Sequence, residues 1–79
     1  MPSSTYVSLL NTVRPFVEET KAREVIGRQL QKCNATPETI TLEQLKSIAH
    51  LLSGAMGLYV ADKAQRAELA GKIAALAGL

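Results

Sequence analysis

The sequence predicts an all-α protein, a compact bundle of about four helices, on three observations. Apolar residues recur at three- and four-residue spacing along most of the chain. Alternation of apolar and polar residues, the mark of a half-buried strand, never persists. Caps and breakers divide the chain into pieces of ordinary helix length.

The first piece spans roughly 4–13. Tyr6, Leu10, Val13 and Val17 step by four, three and four, with Leu9 and Phe16 beside them. Ser3 or Ser4 can cap its start by accepting from a first-turn amide. Pro15 removes a backbone donor and clashes with the carbonyl of Asn11, so this helix ends or bends near Val13.

The second piece spans roughly 16–33. Pro15 suits a helical first turn, with Glu18 and Glu19 at the positive end. Ala22, Ile26, Leu30 and Cys33, flanked by Val25, form its apolar stripe. The phase of this stripe does not continue the first, which fits either two helices or one helix kinked at Pro15. Asn34 can close the helix in a left-handed conformation, and Pro37 prevents its resumption. Residues 34–41 form the one substantial loop.

The third piece, 42–58, opens on the capping box TLEQ, in which Thr41 and Gln44 satisfy each other's amides. Leu45, Ile48, Ala49, Leu52, Met56 and Tyr59 form its stripe. The fourth, 62–77, opens on Asp62 with Gln65 as a second box, carries Leu69, Ile73 and Leu76 inward, and ends at Gly78. Residues 1–79 make a single helical domain.

A chain of 79 residues buries only about 60–65% of the surface its unfolded form exposes, so it gains from outside support. An internal disulfide is excluded, because Cys33 is the one cysteine, and a zinc site lacks ligands, because His50 is the one histidine. A partner chain remains. The 47% hydrophobic content is high for a small soluble monomer and favours self-association, as a homodimer or with another protein. The start of the chain does not read as a secretory leader, and a lone thiol fits a reducing cytoplasm.

The stretch LLSGAMGLYVA, residues 51–61, sharpens this expectation. The uncharged run from Ser47 to Ala61 is too short for a transmembrane span of about 20 residues. It also lacks the Lys and Arg of a helix lying on a membrane surface. It reads as a core helix or a subunit interface. Gly54 and Gly57 are costly within a helix, and the sequence suggests that they admit a close neighbour. The last helix is the expected neighbour, since eight of the eleven alanines lie at or after Ala55. Gly27 is expected to act likewise in the second helix. The candidate interface combines both helices: Leu51, Ala55, Leu58 and Leu69.

Catalysis has few residues to draw on. Cys33 lies on an apolar stripe, as a small hydrophobe would, and His50 lies opposite its helix's core face. Adjacent Glu18 and Glu19 do not face each other on a helix. No GxGxxG, Walker, GxSxG or HExxH motif occurs, so no enzyme, cofactor or small-molecule substrate is expected.

Nucleic acid is the alternative partner. Arg14, Lys21, Arg28 and Lys32 are candidate phosphate contacts, with Arg23 near, but Glu24 is placed to pair with Arg28. A net charge of +2 is too small to demand a polyanion. The segment LKSIAHLLSG is similar to the first helix of a helix-turn-helix, yet the GLYVADKAQ that follows is too apolar at its start to read bases. Four helices in a chain of this length are also similar to the acyl carrier proteins. Those are acidic and carry Asp-Ser-Leu at the second helix, whereas this chain is basic and lacks the tripeptide.

Overall fold

Caps and turns set the element boundaries. The computed structural model describes residues 2–79 and contains α1 (Ser4–Val13), α2 (Glu19–Lys32), α3 (Leu42–Gly57) and α4 (Lys63–Leu76). There is no strand among the described residues. Ser3 caps α1, its Oγ accepting from the Tyr6 amide at 3.1 Å. The Thr41–Gln44 capping box is formed in full at the start of α3. Asp62 caps α4 by accepting from the Ala64 and Gln65 amides, at 2.8 and 3.2 Å. The Gln65 side chain does not return a bond among the described residues, so the second box is only half formed.

Pro15 separates two helices. The amides of Phe16 and Val17 both donate to the Val13 carbonyl, at 2.9 and 3.0 Å, and fold residues 14–18 into a turn. This corrects the expected start of the second helix at residue 16: Glu18 is the N-cap and α2 begins at Glu19. Val17 still reaches the core, because the turn carries it there.

Asn34 adopts φ 57°, and the Ala35 amide donates to the Leu30 carbonyl while that of Asn34 donates to Gln31. These paired bonds close α2 as a Schellman motif. The same pattern recurs after α4, where Gly78 has φ 78° and the Leu79 and Gly78 amides reach Ala74 and Ala75. The loop between α2 and α3 is anchored at both faces. Its Ala35 and Ile40 are buried, and the Pro37 carbonyl accepts from the Ser3 amide at 2.8 Å, tying the loop to the start of α1.

The helices pack α1 on α2, α2 on α3, α3 on α4, and α4 back on α1, closing a ring around one core. Leu9, Val13, Ile26, Leu30, Leu45, Leu52, Met56, Leu69 and Ile73 are all but inaccessible at its centre. The stripes read from the sequence supply most of this core, with Cys33 and Leu76 half-buried at its edge and one residue outside it. Tyr59 lies past the end of α3 and is exposed, and Val60 turns inward in its place. None of the helices among the described residues is long and apolar enough to cross a membrane.

Candidate interaction surface

Two flanks of α3 differ in what they meet. Along one, α4 runs antiparallel: Gly57 faces the Arg66 side chain near the start of α4, and Lys46 reaches Gly78 just past its end. At 100° per residue, Leu51 and Leu58 lie about 120° and 100° around the axis from Gly57, away from α4. Both are exposed, Leu51 at 50% and Leu58 at 85%. Leu58 keeps helical backbone angles as the C-cap, so it extends the face of α3 by one position.

Of the four residues expected at an interface, the structure brings three to one side. Ala55 is half-buried between the exposed leucines and the core. Leu69 is a correction: it is 1% exposed, because it sits on the inward stripe of α4 with Ile73. Leu69 therefore drops out of the expected surface, while Ala67 and Ala75 of α4 are exposed.

The glycines are corrected too. A methyl group placed at Gly27, Gly54 or Gly71 would meet nothing within 4 Å, and at Gly57 it would touch only the Arg66 side chain. Among the described residues nothing packs against Gly27, Gly54 or Gly71, so close approach within the monomer does not explain those three, whereas Gly57 does face α4, through the Arg66 side chain.

Two further residues join this face: Ser47, which the sequence did not single out, and Gly54, whose expected neighbour was the last helix. Ser47 and Gly54 are exposed and lie with Leu51 and Leu58 within about 60° of arc, roughly opposite the buried stripe of Leu45, Leu52 and Met56. The signal was available in their spacing of four, three and four, the seam spacing of a coiled coil. It was hidden because the neighbouring residues are apolar on nearly every side.

The basic candidates are distributed along α2 and the turn before it, and most carry a carboxylate partner. Arg28 donates to Glu24 at 2.7 Å, and Lys21 lies 3.8 Å from the same side chain. Arg14 and Arg23 share Glu19, at 3.8 and 3.5 Å. Lys32 is the one candidate with no ion pair among the described residues.

Cys33 and His50 have different surroundings. The Cys33 thiol donates to its own helix, at the Leu30 carbonyl 3.4 Å away, and borders a shallow open depression with Thr39, Thr41, Glu43, Gln44 and Ser47. His50 is exposed on the outer side of α3 and does not line it. No group of three or more His, Cys, Asp or Glu side chains among the described residues is placed to hold a metal ion. Comparison with known protein families, curated proteins and solved structures finds no match to the chain.

Proposed function

We propose that the protein is a small non-enzymatic interaction module that self-associates as a homodimer through the outer face of α3. The observation that carries this reading is the exposure of Leu51 and Leu58 on a segment, Ser47 to Ala61, that contains no Asp, Glu, Lys or Arg. Exposed apolar surface gains about 25 cal/mol for each Å² removed from water, and none of the described residues covers Leu51 and Leu58. The lone, half-buried thiol supports a reducing, cytoplasmic setting.

Phosphate binding by the outer face of α2 is the weaker reading. A cation already held by a carboxylate must give up that partner to neutralise a phosphate, and three of the four candidates are so held.

The test is solution mass by light scattering across a hundredfold concentration range, for the parent chain and Leu58→Glu. The parent should pass from monomer to dimer. Leu58→Glu should remain a monomer with unchanged helical content, because at 85% exposure the side chain supports no fold contact. An unchanged assembly size in the variant would remove this surface from the interface. A parent chain that stays monomeric throughout would remove self-association itself.

A further inference from the structure

We infer that the partner seated on α3 is a second copy of the chain, with the two α3 helices antiparallel about a two-fold axis passing between Leu52 and Ser53. The inference rests on the self-association reading and adds a geometry to it. Along the exposed seam the residues alternate small and large: Ser47, Leu51, Gly54, Leu58. An isologous contact places each residue of one patch against another residue of the same patch. In the antiparallel register, Leu51 of one copy lies over Gly54 of the other, and Leu58 lies over Ser47, so every large side chain meets a small one. The parallel arrangement sets leucine on leucine and glycine on glycine, which crowds two layers and leaves a third empty.

Gly54 fits this register. It costs helix stability in a helix interior, yet space is open where its side chain would be. In the antiparallel pair that space receives the partner's Leu51.

Electrostatics permit the same approach. No Asp, Glu, Lys or Arg lies between Ser47 and Ala61, so two copies meet without like charges on the seam. Antiparallel helices also set each helix's positive end beside the other's negative end. The overlap, residues 47–58 of each copy, is about three turns, or roughly 18 Å. One seam of that length falls below the roughly 800 Å² per partner of a standard stable interface, so the dimer is reversible and concentration-dependent.

The experiment uses the full chain carrying Cys33→Ser, with Ser47→Cys or Leu58→Cys added as the one thiol. Dimer formation is first read by light scattering, and the two variants are then oxidised separately and as a mixture. The mixture should give the disulfide between Cys at 47 and Cys at 58, with little self-disulfide from either variant alone. Predominant self-disulfides would mean the parallel register and overturn the proposal. A dimer that cross-links in no combination would also overturn it while leaving self-association standing. Absence of any dimer would overturn both.

Gly54→Leu provides a second readout in a chain that should fold, because the monomer has room for the side chain. It fills the space assigned to the partner's Leu51 and should raise the dimer dissociation constant by about tenfold or more. Unchanged or tighter association in Gly54→Leu would sink the register, and Gly71→Leu on α4 should leave the constant where it was.

Discussion

The outer faces of α2 and α3 are both open to water, but they are made of opposite materials. On α2, Glu19 and Glu24 each hold two cations, so the face is a lattice of short-range pairs that solvent can screen and hydrate. On α3, the seam from Ser47 to Leu58 presents two leucines, a serine and a glycine, with no charge. The first face is complete as it stands. The second leaves apolar area in water and open space at a glycine, and these are the features on which the proposed contact rests.

The largest expected effect tests whether the seam is outside the core. Leu51 and Leu52 are adjacent in sequence but lie on different sides of α3, one half-exposed and the other fully buried. Leu52→Ala should cost about 2–5 kcal/mol of monomer stability, through lost burial and the cavity left behind. Leu51→Ala should cost about 1 kcal/mol or less in dilute protein, because half of the residue's surface is already in water. Urea unfolding of both variants, at a concentration where the parent is monomeric, measures the difference. Similar losses in the two would mean that Leu51 belongs to the core and that the contrast between the faces is false.

The same pair of residues shows what the sequence made legible. Periodicity identified the helices and nearly all of their buried residues, since a stripe at helical spacing has few other uses. Local chemistry identified the ends, at Ser3, Asn34, Thr41, Asp62 and Gly78. Two things needed the fold. The turn at Pro15 shortened α2, because the Val13 carbonyl took two amides that a helix starting at residue 16 would have used otherwise. The outward side of α3 was only partly legible: helical phase separated Leu51 from Leu52, but the apolar and small residues around them did not show which positions packing leaves in water. For that reason the seam was half found, through Leu51 and Leu58, and mixed with Leu69, which the core claims. Gln29 is a further residue that spacing did not reveal: it is buried with its Oε1 unpartnered, and nothing in the structure accounts for it.

A smaller effect separates the seam from an ordinary exposed helix. Gly54 and Gly71 both have open space at the side-chain position. Alanine at either should stabilise the monomer by about 0.5–1 kcal/mol, since a helix interior favours alanine and nothing obstructs the methyl group. Association should divide them. Gly54→Ala narrows the space that Leu51 of the partner enters and weakens the dimer, whereas Gly71→Ala leaves it unchanged. Thermal unfolding of dilute protein and sedimentation of concentrated protein read the two quantities. A Gly54→Ala variant that gained in both would show that the glycine has no role in association.

The smallest effect concerns the charged face, and its value lies in its response to salt. Glu24→Gln keeps the shape of the side chain while removing the partner of Lys21 and Arg28. Exposed pairs on a helix contribute about 0.3–0.5 kcal/mol each, so the variant, which removes two, should lose about 1 kcal/mol or less in dilute buffer. In about 1 M salt the Debye length falls to roughly 3 Å and most of that difference should vanish. Association through α3 should not weaken under the same change, because no ionised side chain lies on the seam, and sulfate should strengthen it by favouring apolar burial. One salt series, followed by unfolding for Glu24→Gln and by solution mass for the parent, should therefore move the two faces in opposite directions. If salt instead dissociated the dimer, ion pairs would hold the copies together, and the interface would have to be sought among the charges of α2.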